Sequence, residues 1–131
     1  PHRCRLWRRS HAIRGAISVE EDKPRLIAEA TRELLAKIVE RNCLELDELV
    51  SVFFTLTPDL TTAFPALAAR EMGWVDVPLL CATEIPVPGS MPRCLRILLQ
   101  VELRAPRPLD THIYLRDAVA LRPDVAVNRE S

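Results

Sequence analysis

The chain is short of glycine, has no net charge and no long apolar run, and each shortage removes a class of function. Only three glycines stand among its 131 residues, at positions 15, 73 and 89. Neither GxxxxGK[ST] nor GxGxxG can be spelled with that spacing, so both kinds of nucleotide-phosphate loop are absent. HExxH and GxSxG are missing as well. The 18 basic and 18 acidic residues cancel, which leaves no global field to draw nucleic acid or an anionic membrane. Any anion site has to be a local cluster of arginines. No window approaches the roughly 20 uninterrupted apolar residues of a membrane span. The cysteines at 4, 43, 81 and 94 have no CxxC spacing. They suit reduced thiols in a cytoplasmic protein better than a zinc site or a disulfide framework. His2, His11 and His112 are scattered and do not make a metal set. No metal, cofactor, nucleic-acid partner or membrane partner is expected.

What is present is a pattern of strands and helices. Residues 1–11 are basic and lack the apolar stretch of a secretory signal, so they read as a poorly ordered arm. Ala12 to Val19 reads as the first strand, interrupted by Gly15. Glu20, Glu21 and Asp22 before Lys23-Pro24 signal a helix start, since acids complement exposed N–H groups and Pro needs no donor at the first position. Leu26, Ile27, Ala30, Leu34, Leu35, Ile38 and Val39 then recur at helical spacing, to an end near Asn42. LDEL at 46–49 is a turn or helical stub. Val50 to Thr57 is β-branched and aromatic, a buried strand. A second helix is expected from about Thr61 to Met72, stopped by Gly73. Val77 to Ala82 is a third strand, with Pro78 placing its first residues at an edge or outside the ladder. Three prolines stiffen the loop at 83–92. Arg93 to Leu103 is a long strand, 104–111 a Pro-rich connection, His112 to Leu115 a short extended piece, and Arg116 to Leu121 one or two helical turns. Residues 125–131 read as a flexible tail. The expected fold is α+β, a mixed sheet covered by helices on one face in a domain spanning 12–124. One long and one short helix shield a single face, so a closed oligomer is expected to bury the other.

Three charged residues stand in unusual places. Arg14 lies inside a strand beside Gly15. Arg96 interrupts an apolar strand between Leu95 and Ile97. Glu84 follows an apolar strand directly and opens the stiff loop. A charge in or near a core has to be paired or to serve a ligand, because desolvating it alone is costly. The bland alternative for each is a solvated face or a loop cap. Arg70 and Arg122 read equally as surface charges, Tyr114 as a half-buried strand aromatic, and Cys81 as a small core residue. A Cys81–His112 nucleophilic pair is a further possibility that spacing does not decide.

Several of these residues stand in segments that resemble one family. Ile13-Arg14-Gly15-Ala16 with Val19-Glu20 is similar to its opening strand. Thr57-Pro58-Asp59-Leu60, then Ala63-Phe64-Pro65-Ala66 and Arg70, is similar to its second motif. Val77-Pro78, Cys81, Glu84 and Cys94-Leu95-Arg96 resemble its third. His112-Ile113-Tyr114-Leu115, Ala118-Val119 and Leu121-Arg122-Pro123-Asp124 resemble its end. The family is the monofunctional chorismate mutase of α+β type, the AroH class, and the likeness runs from about Ala12 to Asp124.

The resemblance implies a homotrimer like a pseudo-α/β barrel, with three active sites at subunit interfaces. It implies conversion of chorismate to prephenate, an isomerase step in phenylalanine and tyrosine biosynthesis. Carried over position by position, it makes Arg14, Glu84 and Arg96 the catalytic residues, and Tyr114 and Cys81 substrate contacts. Phe64, Arg70, Leu121 and Arg122 match the pocket's lining or rim. Leu67 departs from the family, which often has lysine there, so the rim carries less positive charge. Two rival readings remain: a trimeric ligand-binding module without turnover, and a small trimeric enamine/imine deaminase. The deaminases' typical segments are not matched here.

Overall fold

The structure is a computed structural model that describes residues 8–121. Five strands form one mixed sheet. They are β1 (Ser10–Ser18), β2 (Leu49–Leu56), β3 (Leu79–Thr83), β4 (Cys94–Glu102) and β5 (His112–Leu115). Two helices, α1 (Pro24–Asn42) and α2 (Pro65–Glu71), accompany them, with 3-10 turns at Leu46–Glu48 and Arg116–Leu121. The sheet order is β3-β2-β4-β1-β5. The long β4 lies at the centre, antiparallel to β1 and β2, while β3 and β5 join the outside in parallel. This is the expected α+β architecture with a mixed sheet. Among the described residues no helix is long and apolar enough to cross a membrane.

The helical cover lies on one face. Strand alternation sends Ile13, Ile17, Val52, Phe54, Leu56, Leu95, Ile97, Leu99, Val101 and Ile113 toward α1, because successive side chains point to opposite faces. From α1, Ile27, Ala30, Leu34, Leu35 and Ile38 meet them, all fully buried. Each large member contributes roughly 1.5–3 kcal/mol by leaving water. Gly15 makes the close approach possible. A Cβ there would stand 3.0 Å from Ile97 Cγ2 and 3.1 Å from both Leu34 Cδ1 and the Ile113 carbonyl oxygen.

Several boundaries differ from the sequence pattern, each for a physical reason. β1 begins at Ser10, so Ser10 and His11 of the expected arm join the ladder opposite Glu102 and Val101. Asp22 does not complement the start of α1. Its carboxylate accepts instead from the backbone N–H and hydroxyl of both Thr61 and Thr62, at 2.8–3.2 Å. That tether holds residues 61–64 outside the helix, and α2 starts only at Pro65, which needs no donor there. β3 starts at Leu79, although the Pro78 carbonyl still accepts from Val52 N–H at 2.9 Å. Arg93, at a φ of 46°, turns the chain into β4 one residue later than expected.

A buried carboxylate organises the Pro-rich connection. Glu48 is 2% exposed and accepts from both terminal nitrogens of Arg107, at 3.0 and 3.1 Å, and from the backbone N–H of Arg104. Arg107 also donates to the Asn42 and Cys43 carbonyls at the end of α1. The Arg107 fork holds the Glu48 carboxyl down to about 2, overcoming the opposing effect of burial. Asn42 pins Asp110 from both sides. The segment is thus fixed where it feeds β5 against β1.

Candidate active site

The face of the sheet away from α1 carries the charged residues. Pairing partners share a face, so register alone lays out two rows across it. One row runs Ala82, Thr55, Arg96, Ala16, Tyr114, from β3 through β2, β4 and β1 to β5. The next runs Leu80, Phe53, Leu98, Arg14, His112, two residues along each strand and roughly 7 Å away. Arg14, Arg96 and Tyr114 are therefore neighbours on one surface. Glu84 joins them from just beyond β3, where its backbone N–H continues the ladder to the Leu56 carbonyl at 2.8 Å.

The central contact is between Glu84 and Arg96. Glu84 Oε2 lies 3.1 Å from Arg96 Nε, an ion-pair distance without hydrogen-bond alignment. The same oxygen accepts a 2.6 Å hydrogen bond from the Thr55 hydroxyl. Among the described residues no oxygen accepts from the terminal nitrogens of Arg96, and the exposed Arg14 has neither an ion pair nor a side-chain hydrogen bond. Two guanidinium groups against one carboxylate leave a local excess of positive charge. Planar forks with free donors are suited to a carboxylate ligand.

The turn at Arg116–Leu121 closes one end of this surface. Ala118 is buried against Ala16 and Cys94, and Met91, Tyr114 and Leu121 pack around them. Arg116 fixes the turn by donating to the Ser18 carbonyl and to Glu33, while the Asp117 N–H donates to the Ser18 hydroxyl. Leu121 thereby reaches the same neighbourhood as Tyr114. Cys94 is buried beneath, and desolvation pushes its thiol up to about 11.

The remaining candidates lie elsewhere. Cys81 pairs with Phe54 and so shares the helix-side face. With Phe64, Leu56, Leu60 and Ala63 it lines a cavity of about 370 Å³ at the β3 edge. Burial raises the Cys81 thiol above its ordinary value, against a smaller opposite effect of a backbone hydrogen bond at Ala66. Phe64 is 73% exposed and Leu67 60%, an apolar surface at the start of α2. One terminal nitrogen of Arg70 donates to the Trp74, Val75 and Val77 carbonyls at 2.8, 2.8 and 3.1 Å. That contact anchors the loop after α2. Arg122 lies outside the described residues.

Within one chain, then, Arg14, Arg96, Glu84, Tyr114 and Leu121 come together on one face, while Phe64 and Cys81 stand on the other side of the sheet. A Cys81–His112 pair within a chain is overturned. β3 and β5 are opposite edges, four strand spacings or roughly 19 Å apart. Thr55 is the participant that sequence reasoning missed. Its only signal is parity, since it alternates with the buried Phe54 and Leu56 and so must face the arginines. Among the described residues no three His, Cys, Asp or Glu side chains are placed to hold a metal ion.

Fold and site define a small α+β protein with a cationic sheet face suited to a carboxylate ligand. Comparison with known proteins narrows the class. The family model for chorismate mutase type I matches residues 10–125, and the chain belongs to that family. It is 55% identical over 114 residues to the chorismate mutase AroH of Thermus thermophilus, covering 86% of this chain and 93% of the relative. It is 38% identical over 120 residues to the chorismate mutase AroH of Bacillus subtilis, covering 91% and 94%. The solved structure of a chorismate mutase from Clostridium thermocellum superposes with a TM-score of 0.80 at 42% identity, covering 84% of this chain and 98% of that one.

Proposed function

We propose that the chain converts chorismate to prephenate, and that it does so as a homotrimer whose active sites each draw on two subunits. The reaction is a concerted [3,3] shift, so no proton moves and no covalent intermediate with the protein forms. The enzyme has to hold a flexible dianion in its compact conformer and stabilise charge separation as the ether C–O bond breaks. Arg14, helped by the Tyr114 hydroxyl, binds the enolpyruvyl carboxylate. Arg96 presents its free terminal N–H groups to the ether oxygen, where negative charge grows. Glu84 accepts from the ring hydroxyl and favours the positive charge developing on the ring. Leu121 supplies an apolar wall, and Arg122 the rim.

The observation that carries the reading is the separation of the two groups of residues. A second copy that seats its Phe64–Cys81 edge against the Arg14–Arg96 face completes one pocket, with Phe64 as the opposite wall and Cys81 beside the ring hydroxyl. Arg70 then braces that rim. The apolar row supports the same assembly. Leu80, Phe53 and Leu98 run side by side on the uncovered face at 59%, 39% and 49% exposure, and a contiguous apolar patch of this kind marks an interface. Residues 12–124, joined by Ser10 and His11 at the start of β1, form the catalytic domain. Thiols at 43, 81 and 94 that are free fit a reducing compartment, so the enzyme works in the cytosol.

Loss of chorismate's ultraviolet absorbance on adding the protein tests the reaction, and sedimentation tests the assembly. Turnover at trimer mass is expected, with Leu98→Glu giving a smaller and inactive species. Absence of turnover by a folded trimer would overturn the catalytic reading.

A further inference from the structure

We infer that Thr55 is a positioning residue of this site, holding the Glu84 carboxylate at the Nε end of Arg96 so that the terminal fork stays open for substrate. The inference rests on the proposed chorismate reaction and deepens it.

The geometry is set by register. Thr55 is the direct partner of Arg96 on β4 and of Ala82 on β3, so it stands between the arginine and the chain that leads to Glu84. The Glu84 backbone is already fixed by its N–H bond to the Leu56 carbonyl. What remains free is rotation of the side chain. An isolated carboxylate beside a guanidinium moves toward the bidentate arrangement, with two parallel N–H···O bonds. In that arrangement Glu84 would occupy the donors that the ether oxygen needs and would cancel the charge of Arg96 where it acts. The observed carboxylate does neither. Oε2 takes the Thr55 hydroxyl at 2.6 Å and approaches only Nε of Arg96, at 3.1 Å and out of hydrogen-bond alignment.

Thr55 is suited to this by size and place. Its branched side chain has restricted rotamers in a strand, so the hydroxyl direction is largely set by the backbone. It is only partly exposed. Valine has the same shape and a strong strand preference, so Thr55→Val removes the donor without disturbing the sheet.

The test is a set of four variants assayed on chorismate, Thr55→Val, Thr55→Ser, Glu84→Ala and the double variant Thr55→Val/Glu84→Ala, with melting temperature measured for each. A hydrogen bond to a charged group is worth about tenfold to a hundredfold. Thr55→Val is expected to lower kcat by about that factor, with KM changed far less, because Arg14 and not Arg96 holds the enolpyruvyl carboxylate. Melting should fall by only several degrees, leaving the protein folded at the assay temperature, and Thr55→Ser should restore kcat. In the Glu84→Ala background, Thr55→Val should cost nothing further, since the group it positions is gone. If Glu84→Ala collapses kcat while Thr55→Val leaves it intact, the positioning role is wrong and the site assignment stands. An equal loss from Thr55→Val in both backgrounds would show a merely structural role and overturn the inference. Unimpaired Glu84→Ala would overturn the site assignment and the inference together.

Discussion

Acid should weaken this fold through one carboxylate, and Glu48→Gln isolates the effect. Glu48 is 2% exposed and is held by the Arg107 fork and the Arg104 N–H. These lower its carboxyl from 4.5 to about 2. At about 1.4 kcal/mol for each tenfold change in proton concentration, the difference amounts to about 3 kcal/mol of folding stability. The folded value lies below the unfolded one. The contribution is therefore complete above the unfolded value of 4.5 and is lost as pH falls toward 2. Urea unfolding followed by tryptophan fluorescence, to which the buried Trp74 contributes, measures this at fixed protein concentration. The wild type should lose about 3 kcal/mol more than Glu48→Gln across that window. The two proteins should converge at its acid end. Parallel acid profiles for the two would refute the reasoning. The consequence reaches the proposed active site, because the Glu48–Arg107 contact fixes the segment that delivers β5, and with it Tyr114, to β1.

Two more expectations follow from the same structure. Arg96→Lys keeps the charge but loses the fork, and steady-state assays should show kcat reduced by about 10²–10³, the usual cost of one preorganised donor. Near-normal turnover would remove Arg96 from the breaking bond. Cys94, fully buried with its thiol pushed up to about 11, should react with iodoacetamide at neutral pH only as fast as the fold opens, whereas the exposed Cys43 should be labelled readily. Peptide mapping that finds Cys94 labelled as quickly as Cys43 would contradict its placement.

Much of this was visible in the residues, and the gaps have physical causes. The strand alternation and the helical period of α1 are short-range signals, and both elements form where the pattern puts them. Arg14 and Arg96 stood out because a cation inside an apolar strand is costly unless it serves a ligand, and Glu84 stood out by its place after β3. Long-range pairing is what the pattern does not carry. Asp22 reads as a helix-start acid from its neighbours, yet its four hydrogen bonds go to Thr61 and Thr62, some forty positions on. Arg70 reads from its neighbours as a surface charge, yet its bonds run to the loop after its own helix. Thr55 lies in a segment that reads simply as a buried strand, and only register places it between Arg96 and Glu84. Register also divides the candidate residues between two faces, a division that linear order conceals.

The central claim is a chorismate site made by two subunits, and hybrid trimers test it most directly. Arg96→Ala disables the cationic face, and Phe64→Asp, at an exposed position, places a repelling charge on the opposite wall. Each variant alone should be nearly inactive. When equal amounts are unfolded together and reassembled, a pocket is intact only where an Arg96→Ala subunit supplies the wall and a Phe64→Asp subunit supplies the face, which random assembly yields in about a quarter of sites. The account predicts recovery of about a quarter of wild-type turnover. No recovery from correctly assembled mixed trimers would contradict it.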